Sequence, residues 1–78
     1  MPRQIIVRPG ATGWWVESDT LFSRLEFASG ARAEEAGRRL ARDHAASGEC
    51  AEVRIILRDG SVAGVFRFEG ERTLVASA

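Results

Sequence analysis

The stretch AEVRIILRDGSVAGVFRF, residues 51–68, limits the possible folds of this chain more than any other. Asp59 and Gly60 at its centre are the pair that a two-residue type I′ hairpin turn favours. Such a turn aligns Arg58 with Ser61 and builds one face from apolar pairs: Leu57 with Val62, Ile55 with Gly64, Val53 with Phe66, and Ala51 with Phe68. The other face pairs Ile56 with Ala63, Arg54 with Val65, and Glu52 with Arg67, an attractive ion pair. Since alternation and register agree, the sequence predicts a β-hairpin.

Three further strands are predicted before this hairpin. Residues 4–8 contain the apolar run Ile5, Ile6 and Val7 without alternation, which is typical of a central strand covered on both sides. Strands are also predicted at residues 14–18 and 21–27, separated by turn residues. The tail, residues 69–78, either adds a short edge strand around Thr73 to Val75 or frays.

One helix is predicted at residues 30–48, GARAEEAGRRLARDHAASG. Its buried stripe is shallow because it is built mostly from alanine and glycine, at Ala33, Ala36, Gly37, Leu40, Ala41 and His44. Glu34 and Glu35 precede Arg38 and Arg39 by four residues, so helical ion pairs explain this charge cluster without a ligand. Gly48 is a suitable stop for the helix.

Together these elements predict an α+β fold of order β-β-β-α-β-β, as a single domain over residues 1–78. A right-handed crossover makes the fourth strand parallel to the first, giving a mainly antiparallel five-stranded sheet with strand order 3-2-1-4-5. One helix covers only one face of that sheet. The covered side is predicted to hold Trp14, Val16, Leu21, Leu25, Phe27, Val53, Ile55, Leu57, Phe66 and Phe68.

The face opposite the helix is the candidate functional surface. Trp15 must lie there, because neighbouring side chains of a strand point to opposite faces. The predicted interaction residues on this face are Trp15, Phe22, Arg24, Arg54, Ile56, Val65 and Arg67, with Ile6 as a further candidate. Because exposed apolar patches usually mark interaction sites, we expect a homo-oligomer, most simply a dimer. The alternative is that long arginine stems and the tail cover these residues in a monomer.

Composition narrows the function classes. The 78 residues carry 11 arginines and 11 acidic residues, so no net field attracts nucleic acid or an anionic membrane. Aromatics among arginines resemble a surface for stacking single-stranded nucleic acid, but the near balance of charge there disfavours this reading. Cys50 is the one cysteine, and no signal peptide or membrane span is apparent, so we expect a cytoplasmic protein.

No catalytic, cofactor or metal site is predicted. His44, the one histidine, falls beside the buried stripe of the helix, and no sequence motif places a nucleophile or carboxylate with it. Phosphate-binding loops and metalloprotease or hydrolase motifs are absent from the sequence. We therefore expect a non-enzymatic protein-interaction module.

Two family resemblances bear on this expectation. The order VRPGATGWWVE, ARAEEAGRRLARDHA, EVRIILRDGSV resembles a family of short uncharacterised bacterial proteins, a domain of unknown function, over about residues 5–62. The positions that match its pattern are Trp14, Val16, Ala36, Leu40, Ala41, Asp59 and Gly60; Trp15 and Gly37 depart from it. That family implies no activity.

The segment GARAEEA, Gly30 to Ala36, is similar to the helix start of HicB-type antitoxins, with Arg32 where they have threonine. That resemblance implies a small toxin as protein partner. The DNA-binding segment usual in such antitoxins is not expected in a chain ending at Ala78.

Overall fold

A computed structural model describes residues 2–69 and, for backbone only, residues 72–75. Its elements are β1 (Arg3–Pro9), β2 (Trp14–Ser18), β3 (Leu25–Phe27), α1 (Gly30–Ala46), β4 (Cys50–Ile56), β5 (Val62–Glu69) and β6 (Arg72–Val75). The six strands form one sheet of order β3-β2-β1-β4-β5-β6, with β1 and β4 parallel and the other neighbours antiparallel. The predicted fold class and five-strand order are confirmed, and β6 is the edge strand that was one of the two alternatives predicted for the tail. The rest of that tail lies outside the described residues.

The helix packs closely because its buried side is made of small residues. Ala33, Gly37, Ala41 and Ala45 are its buried positions. At Gly37 an added Cβ would come within 3.0 Å of the Val7 side chain, so the helix backbone lies almost directly on β1. The large fully buried side chains beneath it come from the sheet: Ile5, Val7, Val16, Val53 and Phe68.

Both ends of α1 are capped by local chemistry. The Ser29 hydroxyl accepts a hydrogen bond from the Arg32 amide at 3.2 Å, satisfying a backbone donor that the first turn leaves free. After the last turn Gly48 takes a left-handed φ of +93°, which glycine adopts without a steric penalty. The predicted stop at Gly48 is therefore confirmed, and it directs the chain into β4.

The third strand is shorter than predicted. It comprises Leu25–Phe27 rather than residues 21–27, because a polar turn occupies the preceding segment. The Ser18 hydroxyl accepts a hydrogen bond from the Thr20 amide at 3.2 Å, and the Ser18 carbonyl accepts one from the Leu21 amide at 3.1 Å. These local bonds compete with strand pairing, so residues 19–24 leave the sheet.

The hairpin turn also differs from the type I′ prediction. Such a turn needs positive φ at both central residues, but among the described residues only glycines have positive φ, including Gly60 at +88°. The Gly60 amide donates a hydrogen bond to the Leu57 carbonyl at 2.9 Å, and the Leu57 amide donates one to the Ser61 carbonyl at 2.8 Å. These two bonds close a three-residue loop with a bulge. The Asp59 carboxylate favours this loop by accepting bonds from both the amide and the hydroxyl of Ser61.

This turn changes the register near the loop. The predicted pairs from Ala51–Phe68 to Ile55–Gly64 are confirmed, but Ile56 pairs with Val62 instead of Ala63. A one-residue shift moves side chains to the opposite face. Val62 therefore shares a face with Ile56, and the predicted pairs Ile56–Ala63, Leu57–Val62 and Arg58–Ser61 are wrong.

The helix covers less of its side of the sheet than predicted. Leu25 and Leu57, both assigned to the helix side, are 38% and 42% exposed. A helix about 10 Å wide spans only two or three strands at about 4.8 Å spacing. Grooves consequently remain on both sides of α1.

Candidate interaction surface

The sheet face opposite α1, called the open face below, brings together most of the predicted interaction residues. Strand register aligns Glu17, Ile6, Arg54 and Val65 in one row across β2, β1, β4 and β5. A neighbouring row contains Glu26, Trp15 and Arg8, and another contains Gln4, Glu52 and Arg67. Among the described residues no helix covers this face.

An apolar strip crosses the open face, made of Ile6, Trp15, Ile56, Val62 and Val65. Val62 is 47% exposed, while the others are half-buried by their neighbours. Sequence reasoning missed Val62 because the bulge reverses its orientation. The signal that could have located it is Asp59-Gly60 itself, since a glycine in this position also suits the three-residue loop.

Each arginine on the open face has a carboxylate within 4.0 Å. Arg8 lies 3.5 Å from Glu17, and Arg24 lies 4.0 Å from Glu26. The Glu52 carboxylate oxygens lie 3.2 Å from the Arg67 guanidinium and 3.4 Å from the Arg54 guanidinium. The arginine stems therefore lie across the sheet, and their charges are largely neutralised within the chain.

Glu52 is the one buried charged residue recorded in the described part of the chain, with 7% of its surface exposed. Burial alone raises the pKa of this carboxyl group, but hydrogen bonds from Arg67, Gln4 and Arg54 outweigh burial, so its pKa lies below the ordinary value of 4.5. Glu52 is thus ionised near neutral pH and connects β4 to β5 through Arg67.

Trp15 is held by its own chain. The Arg24 guanidinium carbon lies 3.6 Å from the indole centroid, a cation–π contact. On the β1–β2 turn, a Cβ added to Gly10 would overlap the indole ring. Part of the cover predicted for a monomer therefore exists, and Trp15 contributes only its remaining surface to the open face.

Phe22 does not belong to the open face. It was expected on the third strand, but it lies in the loop of residues 19–24 with its side chain fully exposed. Arg24 lies in the same loop, yet its side chain reaches Trp15. Arg54, Ile56, Val65 and Arg67 lie where the sequence predicts.

His44 makes a hydrogen-bond network that sequence reasoning did not find. Its Nδ1 lies 2.9 Å from a Glu49 carboxylate oxygen, and its Nε2 lies 3.3 Å from the Thr20 hydroxyl. The pKa of Glu49 is lowered by the hydrogen bond with His44 and then by Arg3, which lies 3.4 Å away. The network ties the loop of residues 19–24 to the end of α1. No sequence signal predicts it, because Thr20 is 24 residues from His44.

A second surface is the groove between α1 and β3, called the α1/β3 groove below. It is open to solvent and has a volume of about 730 Å³. The residues that line it are Leu25, Phe27, Ala31, Arg32, Glu35, Ala36, Arg39, Leu40 and Asp43. The predicted pair between Glu35 and Arg39 is absent, because Glu35 instead binds Arg42 at 3.1 Å. The predicted pair between Glu34 and Arg38 is present at 2.8 Å.

Other kinds of site have little support in the described part of the chain. Residues 2–69 and 72–75 contain no group of three or more His, Cys, Asp or Glu placed to hold a metal ion. Within the same residues, no helix has the length and apolar character needed to cross a membrane. Cys50 is a half-buried free thiol.

Comparison with known proteins adds no assignment: no family model, no curated protein and no solved structure matches this chain.

Proposed function

We propose that this protein is a cytoplasmic, non-enzymatic interaction module that self-associates as a dimer through the open face. The observation that carries the proposal is the apolar strip defined above, which crosses four strands with no helix over it in the described residues. Burying such a strip contributes about 25 cal/mol per Å² of apolar surface. A small domain with one thin helix layer gains stability from that burial.

The charges around the strip are compatible with a second copy. Arginines and carboxylates of the open face are paired within the chain, so two such faces carry little net repulsion. In a two-fold dimer the same face of both copies meets, so Arg54 and Arg67 of one copy can approach acidic residues on the open face of the other. The half-buried strip and long arginine stems are typical of an interface with a polar rim.

The same pairing disfavours single-stranded nucleic acid as the ligand. Phosphate binding releases counterions only where cations are free, and each open-face arginine already has a carboxylate within 4.0 Å. Trp15 also has Arg24 over its ring, which occupies a surface that a base would need.

Light scattering over a concentration series tests the proposal. We expect a dimer mass at micromolar concentration for the unmodified chain and a monomer for Val65→Glu, which places a charge in the strip. Ala63→Glu is the matched control, because Ala63 lies on the same strand, is exposed and lines a groove on the helix side. A monomer in the unmodified chain, or equal dissociation by both variants, would refute the proposal.

A further inference from the structure

We infer that the α1/β3 groove binds an amphipathic helix of a partner protein, one with acidic residues seven positions apart along the flank of its apolar face. The inference is independent of self-association, because the groove lies on the helix side of the sheet. It concerns the part of this side that α1 leaves uncovered.

The shape and lining of the groove suit a helix. Its apolar floor is formed by Leu25 and Phe27 on β3 and by Leu40 on α1, and Leu25 is 38% exposed. Ala31 and Ala36 on the α1 wall are small, so a second helix can approach to the usual 8–10 Å between axes. From Arg32 to Asp43 the wall extends about 16 Å at 1.5 Å per residue, which is three turns of helix.

The charges on this wall specify what the partner carries. Arg32 and Arg39 both line the groove, and within the described part of the chain neither has a carboxylate within 4.0 Å. Their neighbours Arg38 and Arg42 are engaged by Glu34 and Glu35. The lining also holds two acidic residues, Asp43 and Glu35, and Glu35 binds Arg42, so Arg32 and Arg39 are the lining cations without an ion-pair partner among the described residues.

The spacing of these cations matches a helix. Residues seven apart lie on the same side of a helix and are about 10.5 Å apart along its axis. A partner helix running alongside α1 therefore aligns acids at positions i and i+7 with Arg32 and Arg39. Asp43 continues the same wall four residues after Arg39, so a basic or neutral residue of the partner is favoured opposite it.

A second copy of this chain does not fit the pattern. In α1, the residues seven after Glu34 and Glu35 are Ala41 and Arg42, and the residue seven before Asp43 is Ala36. The described helix of another copy thus offers no acid pair of this spacing. A strand added to β3 is less favoured, because β3 has only three residues to pair with.

Synthetic peptides test the inference. The probe is a leucine-seamed amphipathic helix of about 14 residues with two glutamates seven apart, compared with a version carrying lysines and with a scrambled one. We expect the glutamate peptide to gain helicity on binding and to shift the amide resonances of Leu25, Phe27 and Leu40. The double variant Arg32→Glu/Arg39→Glu should weaken its affinity by about tenfold and should instead bind the lysine peptide. Arg58→Glu, in the hairpin loop between β4 and β5 and outside the groove lining, should change affinity less than about twofold.

Several results would overturn the inference. These are no binding of the glutamate peptide at millimolar concentration, equal binding of the lysine or scrambled peptide, or an unchanged affinity in the double variant. Binding without a gain of helicity, together with new hydrogen-exchange protection of the β3 amides, would show a strand as the occupant and would also refute it. None of these results depends on whether the chain is a dimer, which light scattering reports separately.

Discussion

Replacing Glu52 by glutamine tests whether the open face is held together by its buried carboxylate. The change keeps the shape of the side chain but removes its negative charge, which forms ion pairs with Arg67 at 3.2 Å and Arg54 at 3.4 Å. A hydrogen bond to a buried charged group contributes about 1.5–3 kcal/mol. The arginine side chains are 42% and 43% exposed, so solvent screening reduces this value.

We therefore expect Glu52→Gln to lower the free energy of unfolding by about 2 kcal/mol at pH 7, measured by urea denaturation. A domain of this length has a total of about 4–12 kcal/mol, so the loss is a large share of it. Glu17→Gln is the matched control on the same face: Glu17 is 34% exposed and 3.5 Å from Arg8, and its loss should cost less than about 1 kcal/mol.

The pH dependence follows from the lowered pKa of Glu52. A carboxyl group with a depressed folded-state pKa stabilises the fold fully above its unfolded value, here 4.5, and this contribution is lost as the pH falls through the folded pKa. The difference in free energy of unfolding between the unmodified protein and Glu52→Gln should be greatest near pH 7 and disappear in acid. Equal stability at pH 7, or a difference that persists below the folded pKa, would refute this account of Glu52.

Two further substitutions test the backbone requirements of the fold by urea denaturation. Gly60→Ala should destabilise the protein by about 1–2 kcal/mol, because φ at this position is +88° and an L-residue is strained there; an unchanged denaturation midpoint would contradict the loop assignment. Gly37→Val should cost at least about 2 kcal/mol, since a Cβ already meets the Val7 side chain at 3.0 Å and the branched methyl groups have no space. A stabilised Gly37→Val protein would show that α1 does not pack on β1 as described.

The candidate surfaces were predictable to different degrees. Successive side chains of a strand point to opposite faces, so the position of a residue within its strand decides which face it occupies. This rule alone predicts one shared face for Trp15, Arg54, Ile56 and Val65. Phe22 was misplaced because local hydrogen bonds of Ser18 ended the strand pairing. Whether such a polar turn replaces a strand depends on the positions of its hydrogen-bonding groups, which the alternation of apolar and polar residues does not specify.

The α1/β3 groove illustrates what composition and spacing leave open. Helical spacing predicts a pair of Glu35 with Arg39 and equally permits other partners within reach. Only the packed structure selects Arg42, which leaves Arg39 at the groove. Likewise, the exposure of Leu25 depends on where a narrow helix lies over a wide sheet.

By itself the sequence determined the fold class, the order of the first five strands, the helix stop and the hairpin register from Ala51–Phe68 to Ile55–Gly64. Each of these depends on local periodicity, a helix-ending glycine or the handedness of one crossover. The tertiary structure alone decided that Glu52 is buried between two arginines, that His44 joins Thr20 to Glu49, and that Arg32 and Arg39 face an apolar groove. These features depend on side chains that are distant in the chain or have several partners within reach. The relative positions of the packed helix and strands determine which partner each of these side chains contacts, and no local sequence pattern specifies those positions.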